Sequence, residues 1–400
     1  MTTVAEVIAA DLCIGCGLCE GVTGGRASMT MTAGGGLRPE PVDGFTAAEE
    51  GVIVSACPGV VAEARPDAGA AVDPIWGAHR ARFRAWAADP EVRHRAATGG
   101  VLTALAGHLL DVRAVTAVLH VGADPEQPMR NRWTLSTDSR SVAANTSSRY
   151  GPTAPLAGLG TALDRGEPFA IVAKPCDLGA VHRLAAVDPR VDELCTARLA
   201  LVCGGQSRLT KSQALLTELE IDESEVALFR YRGHGNPGST RIETHDGRAF
   251  EKTYLELWED EAGWDLETRC KLCPDALGET ADVVAADAWP GGAPVGEDEG
   301  FNAVVVRTRT GERLVADAAA AGRLVVGEPI TPRQLDDMQP HQVRKKVALA
   351  ARYAGVADIG VTPIETIGLR LDELGGRLGG DEWERERTGT ARRMRMARPQ

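Results

Sequence analysis

The sequence predicts an α/β fold: a loop-rich N-terminal unit followed by an α/β body with a mostly parallel sheet and added β-hairpins. Three observations predict it. From Trp76 onward, short apolar runs alternate with segments of helical period, the pattern of βαβ units. Residues 1–62 instead carry a cysteine run with Gly24-Gly25 and Gly34-Gly35-Gly36, which favour loops over regular elements. After Val226 the texture turns to hairpins, signalled by Asp246-Gly247 and Thr310-Gly311.

Four segments follow: 1–62, 75–165, 166–330 and 331–400, with the Pro-, Gly- and Ala-rich stretch 64–74 as a linker. In 75–165, residues 101–110 after Gly99-Gly100 read as a helix, 115–121 as a buried strand and 152–164 as a helix. In 166–330, strands at 169–173 and 199–202 alternate with helices at 180–186 and 211–219, and hairpins follow at 241–251 and 303–315. The last segment is a helix over 332–354, begun by Pro332, and a basic tail with Arg392, Arg393, Arg395 and Arg398 that reads as solvated.

Lys and Arg number 44 against 56 Asp and Glu, a net charge of −12 that argues against nucleic acid as the main partner. The N-terminus has no basic stretch leading an apolar one, and no run is long enough to span a bilayer. The nine cysteines therefore read as reduced ligands in a cytoplasmic protein, not as disulfides.

Eight of them fall into two sets. Cys13-Ile-Gly-Cys16-Gly-Leu-Cys19, completed by Cys57-Pro58, has the spacing of a ferredoxin-like 4Fe–4S unit. Zinc is the competing ligand, but tetrahedral zinc sites generally use two separated pairs. Thiolates suit iron because soft sulfur matches it and its charge offsets the ferric core. Gly15 and Gly17 leave backbone N–H groups free to turn toward the sulfurs. There is one such run where a two-cluster ferredoxin has two, so this unit is expected to carry one cluster.

The second set is Cys176 after Pro175, Cys203, and the pair Cys270-Lys-Leu-Cys273. Cys176 and Cys203 follow predicted strands, at the carboxyl ends where α/β sheets bind ligands. A second 4Fe–4S cluster is the reading adopted. Two others stand beside it: Cys176 and Cys203 as small buried apolar residues, or Cys176 as a reactive thiolate lowered by the following helix. Cys195 is left over as structural. No dinucleotide fingerprint or phosphate-binding P-loop motif is present. Gly99-Gly100 at a helix entry and the basic Arg230–Gly238 turn are the two candidate places for a nucleotide-type cofactor. Of the histidines, His182, His234 and His341 are candidates for a proton donor, with no catalytic residue assigned.

Several further motifs carry a resemblance over residues 11–355: Arg95-Ala-Ala-Thr-Gly-Gly, Ser148-Arg149-Tyr150-Gly-Pro, Lys174-Pro-Cys-Asp177, Val202-Cys-Gly204, Arg230-Tyr-Arg-Gly-His-Gly-Asn-Pro-Gly238, Arg269-Cys-Lys-Leu-Cys-Pro-Asp275, Ala281-Asp282 and Asp287-Ala-Trp289. In order and spacing this set resembles the family of the beta subunit of coenzyme F420 hydrogenase and dehydrogenase, which includes 7-hydroxymethyl chlorophyll a reductase and a divinyl chlorophyllide 8-vinyl reductase. The coenzyme is a deazaflavin. The resemblance implies an FAD-containing iron–sulfur oxidoreductase. It gives Cys176, Cys203, Cys270 and Cys273 to a cluster, and places the flavin near Thr98, Gly99, Gly100, Ser148, Arg149, Tyr150, Arg232 and Gly233. The substrate differs among members and does not transfer. The Cys57-Pro58 closure is more ferredoxin-like than that of the chlorin reductases.

The expectation is a flavoprotein passing electrons between a one-electron carrier, such as ferredoxin or another redox subunit, and a small organic substrate or coenzyme F420. The alternatives are an electron-transfer subunit of a larger dehydrogenase or hydrogenase, with no substrate of its own, and a zinc-stabilised binding protein. A homo-oligomer is left open.

Overall fold

The structure is a computed structural model that describes residues 1–258, 265–294 and 299–397. Its centre is an eight-stranded sheet of β1 (Ala81–Ala87), β2 (Ala117–Ala123), β3 (Asn131–Ser136), β4 (Phe169–Ala173), β5 (Cys195–Leu201), β6 (Val283–Asp287), β7 (Asn302–Val306) and β8 (Leu324–Pro329), in the order β8-β1-β7-β6-β5-β4-β2-β3. The α/β class holds, and the sheet is mixed: β2, β4, β5 and β6 run parallel, while the strands flanking them are antiparallel. The central strands are apolar runs because both faces are covered. On one face α1 (Val101–Asp111) and α3 (Arg309–Ala320) bury Leu105, Ala106, Leu314 and Ala318. On the other, α2 (Pro175–Leu184) buries Leu178 and Val181 beside Phe169, Leu156 and Trp76.

Four local expectations change. The hairpin expected over 303–315 is strand β7 followed by helix α3: the Thr308 hydroxyl accepts from Gly311 N–H at 3.1 Å and caps the helix. Gly311 is a helix residue because a side chain there would strike the Asp282 carbonyl. The helix expected over 332–354 breaks in two, Pro332–Met338 and α4 (Pro340–Ala357). Pro340 lacks the N–H that would continue the first, and Gln339 before it takes a non-helical conformation. The helix expected over 152–164 is a 3₁₀ turn, Pro155–Gly158, leading into Leu159–Asp164. The basic tail is α5 (Gly380–Ala397), which buries Thr390, Ala391 and Met394; Arg398 lies outside the described residues. The Asp246-Gly247 hairpin forms as expected between Thr240–Thr244 and Ala249–Lys252. Within the expected linker, Ala71–Asp73 pairs with Gly77–His79, and the turn between them buries Trp76.

The N-terminal segment is less loop-rich than expected. It holds a helix, Val4–Ala9, a hairpin of Ala27–Met31 with Leu37–Pro41, and a helix, Ala47–Ala56, opened by a Thr46–Glu49 capping box. Strand Val61–Glu63 pairs in parallel with Glu365–Ile367, and Val7 and Leu12 share a core with Leu349 and Val356 of α4. Among the described residues no helix is long and apolar enough to cross a membrane.

Candidate metal and cofactor site

The first cysteine loop is pressed between the N-terminal hairpin and the Pro155–Gly158 turn. Its glycines make this approach possible: a Cβ on Gly15 would lie 2.6 Å from the Leu37 carbonyl oxygen, and one on Gly17 2.5 Å from the Ala157 nitrogen. Both have positive φ, 68° and 88°, which only glycine adopts without strain. Leu156 N–H donates to the Cys16 carbonyl at 3.0 Å, fixing the loop to the body. Cys57 ends helix Ala47–Ala56 and turns back toward the loop. Burial pushes the Cys16 and Cys19 thiols up, and the charges of neighbouring thiols add to it: Cys57 and Cys19 act on Cys16, and Cys57 and Cys13 on Cys19. Cys57 is pushed up to about 12 by burial, with Cys13 adding. The four sulfurs thus share one neighbourhood.

The second set assembles from three elements. Cys176 lies in the first turn of α2, Cys203 just beyond β5, and Cys270 and Cys273 on and after the short helix Thr268–Lys271. Burial raises Cys203 and takes Cys270 to about 12, and each feels the Cys273 sulfur. The Gln206 N–H donates to Cys270 Sγ at 3.3 Å, and the Cys273 thiol donates to the Asp275 carbonyl at 3.2 Å. Burial and the Asp177 charge push the Cys176 thiol well up, against the pull of Arg269 and Lys174, a direction opposite to that of the reactive-thiolate alternative. Cys195 is buried in the main core at the start of β5. Among the described residues, no three cysteine, histidine or carboxylate side chains converge on a point that would fit a single metal ion.

Two side chains join the neighbourhoods. The Gln206 amide donates to the Ile14 carbonyl at 3.0 Å, inside the first cysteine loop, while its own N–H serves Cys270. Arg269 donates from Nη1 to Cys273 Sγ at 2.9 Å, and from Nε and Nη2 to the carbonyl of Pro58, next to Cys57, at 3.1 and 3.0 Å. Burial opposes the Arg269 charge, yet the sulfurs of Cys273, Cys176 and Cys270 hold it above its ordinary value. Neither role had a signal in the sequence beyond Arg269 standing beside Cys270.

A cleft of about 1090 Å³ opens at the carboxyl ends of β4 and β5, where parallel strands leave a crevice. Thr98, Gly100, Ser148, Arg149, Tyr150 and Arg232 line it, and so does Cys203 of the second set. Gly99 and Gly233 stand outside that lining. A Cβ on Gly99 would lie 2.7 Å from the Asn302 nitrogen, and one on Gly233 would strike the Arg95 carbonyl, so both serve backbone packing. Gly100, at φ 74°, opens α1 with no side chain of its own to cap it; Val101 N–H donates to Asn302 Oδ1 at 3.3 Å, and Leu102 and Thr103 of the first turn line the cleft.

Arg149 and Arg232, near which the resemblance places the flavin, are held by the protein itself. Arg149 donates to Asn131 Oδ1 at 2.6 Å and to the carbonyls of Phe229, Pro128 and Arg130 at 2.8, 2.7 and 2.9 Å. Arg232 pairs with Asp287 at 3.0 Å, donates to the Ala97 carbonyl at 2.8 Å, and lies against the rings of Tyr254 and Trp289, which meet edge to face. Both therefore brace the cleft wall. Arg149→Ala is expected to lower the unfolding free energy by about 2–4 kcal/mol, because it strands several acceptors at once. Urea unfolding checks this, and an unchanged midpoint would return Arg149 to a ligand role.

Of the histidine candidates, His341 lines the cleft, whereas His182 lies off it and His234 packs on His94 with ring centroids 5.5 Å apart. His120, not singled out by its sequence, also lines the cleft; burial lowers it to about 4, so it is neutral, and it bonds Ser136 at 2.8 Å. Lys174 and Asp177 line the floor as an ion pair at 2.9 Å.

Two family models match the chain, both describing the beta subunit of coenzyme F420 hydrogenase/dehydrogenase. The model of its N-terminal part matches residues 82–159, and the model of its C-terminal part matches residues 166–331. Among curated proteins, the F420-dependent formate dehydrogenase 1 subunit beta of Methanococcus maripaludis is 27% identical over 255 residues, 62% of this chain and 62% of its own length. The F420-dependent formate dehydrogenase subunit beta of Methanocaldococcus jannaschii is 25% identical over 246 residues, 61% and 60% of the two lengths. The chain thus spans about six-tenths of these relatives. A chain from the F420-reducing NiFe hydrogenase complex of Methanosarcina barkeri shares the fold, with a TM-score of 0.56 at 17% identity, covering 74% of this chain and 98% of that one.

Proposed function

The chain belongs to the coenzyme F420 hydrogenase/dehydrogenase beta-subunit family, and from that premise we propose that it is a flavin- and iron–sulfur-bearing redox subunit. It exchanges electrons between a one-electron protein partner and a two-electron organic substrate, with coenzyme F420 the foremost candidate. The observation that carries this is continuity: Cys203 stands in the cleft wall, and Gln206 and Arg269 join its set to the first cysteine loop.

The donor sets fit the groups. Cys13, Cys16, Cys19 and Cys57 would hold one 4Fe–4S cluster, and Cys176, Cys203, Cys270 and Cys273 the other, four soft sulfur donors each. A four-iron cubane places one thiolate at each iron, farther apart than around a single ion. The cleft, of 1090 Å³, has room for a dinucleotide-sized flavin. The first turn of α1 at Leu102 and Thr103 would face its phosphates, with Thr98, Ser148 and Tyr150 beside it. Bound there, a flavin supplies both two-electron exchange with an organic molecule and one-electron exchange with iron–sulfur groups. The chain's own residues shape that site: the Lys174–Asp177 pair keeps charge balanced at the floor, and Tyr254 and Trp289 supply aromatic surface around Arg232. Cys13, Cys19 and Cys57 are partly exposed, which favours the first set as the side a partner subunit docks against.

Anaerobically purified chain is expected to hold about eight iron with matching acid-labile sulfide, two cubanes' worth, and one FAD. It should reduce coenzyme F420 when supplied with a one-electron reductant. Zinc without sulfide removes the clusters from the reading, and full iron without flavin removes the FAD. Co-elution with another chain in native lysate tests the partner subunit.

A further inference from the structure

Arg269 is 2% exposed, and among the described residues it makes no ion pair with a carboxylate. Other buried charges here have carboxylate or cationic partners. Glu279 pairs with Lys346 and Arg370, Glu267 with Arg38, and Arg232 with Asp287. Buried Arg307 bonds only carbonyls, but feels the carboxylates of Glu279 and Asp275. Asp177 is near enough to feel Arg269, yet its carboxylate is paired with Lys174 at 2.9 Å. A guanidinium removed from water needs an opposing charge close by. For Arg269 the groups in that place are sulfurs: Cys273 in direct contact, with Cys176 and Cys270 around it.

We propose that Arg269 is a positioning residue that sets the reduction potential of both cysteine-bound clusters at once, through its hydrogen bond to the Cys273 sulfur and its two hydrogen bonds to the Pro58 carbonyl beside Cys57. The inference rests on the proposed two-cluster reading and adds to it a single residue that links the two. Each one-electron reduction adds negative charge to a sulfur-ligated group. A fixed buried cation and an N–H donor to the ligand sulfur stabilise that added charge, and so raise the potential. The rigid fork of the guanidinium matters here. Three of its bonds, from three nitrogens fixed in one plane, reach two neighbourhoods, whereas a lysine's donors all radiate from one nitrogen. Reduction of either cluster should therefore be less favourable without it, and the second set, in direct contact, should move further.

The test is a potentiometric titration followed by electron paramagnetic resonance on the anaerobic full chain, with iron and sulfide quantified in every sample. Wild type is compared with Arg269→Gln and Arg269→Lys. Arg269→Gln should keep its iron and lower the reduction equilibrium of the second set at least about tenfold, about 59 mV for one electron, and that of the first by less. Arg269→Lys should lower both by a smaller factor. Full iron with both potentials unchanged in Arg269→Gln overturns the inference and leaves the two-cluster reading intact. Wild type without iron overturns both. If Arg269→Gln loses iron, Arg269→Lys decides: lowered potentials support the proposal, and unchanged ones overturn it.

Discussion

Replacing Glu279 by alanine is expected to destabilise the fold by about 3–5 kcal/mol, because it leaves buried cations without their partner. The Glu279 carboxylate contacts Lys346 of α4, and accepts from Arg370 at 2.6 Å, with the pair Lys346 and Glu279 almost fully buried. It also stands where Gly77 has no side chain, filling the space a Cβ would need. Burial alone would raise its carboxyl, but Lys346 and Arg370 outweigh that and hold it below its ordinary value of 4.5. A lowered folded value means the contribution is present above the unfolded value and is lost as pH falls through the folded one. Urea unfolding of wild type and variant should thus differ most at neutral pH, with the curves converging in acid. A wild-type midpoint at neutral pH in Glu279→Ala would sink the idea. The consequence reaches the cysteines, since Glu279 N–H donates to Asp275 at 2.8 Å and Asp275 anchors the turn that follows Cys273.

Cys273→Ser is the second large effect. Iron is expected to fall from about eight to about four per chain, with the first cluster kept. The variant should also unfold more easily than Cys16→Ser, because Cys273 ties the turn before β6 to Arg269, and through it to Pro58. Cys16→Ser should lose the other four irons while the sheet stays folded. Iron analysis and thermal unfolding of the pair check this. Unchanged iron and stability in Cys273→Ser would remove the second cluster.

Much of the body was legible in the sequence where burial imposes a clear period. β2, β4, α1 and the Asp246-Gly247 hairpin are strongly patterned, and each forms within a few residues of its expected place. β3 and β8 escaped notice because most of their residues are only partly buried or exposed: β3 has no run of apolar residues, and in β8 the run stops after Leu324-Val325-Val326. The segment 303–315 misled for a different reason: Thr310-Gly311 has turn chemistry, but Gly311 is there to pass the Asp282 carbonyl inside a helix. At the site, spacing brought out the cysteines but not what lies between them. Gln206 sits in an ordinary loop sequence, and nothing local marks it as the link from Ile14 to Cys270. The resemblance places the flavin near Arg149 and Arg232, and the glycines around Arg232 add to that reading. The fold uses both arginines against its own carbonyls and Asp287, which only the packing of remote segments reveals.

The parallel pairing of Val61–Glu63 with Glu365–Ile367, and the core that Val7 and Leu12 share with α4, carry a consequence for synthesis. The cysteine loop at the start of the chain rests on residues made near its end. While the ribosome is still at work, those first thiols are without their final floor, even after Cys270 and Cys273 of the second set have been made. Metal loading would then be a late event, with the thiols kept reduced and guarded in the interval. A shortened chain ending near residue 331 would lack α4 and Glu365–Ile367, and with them the support of that loop.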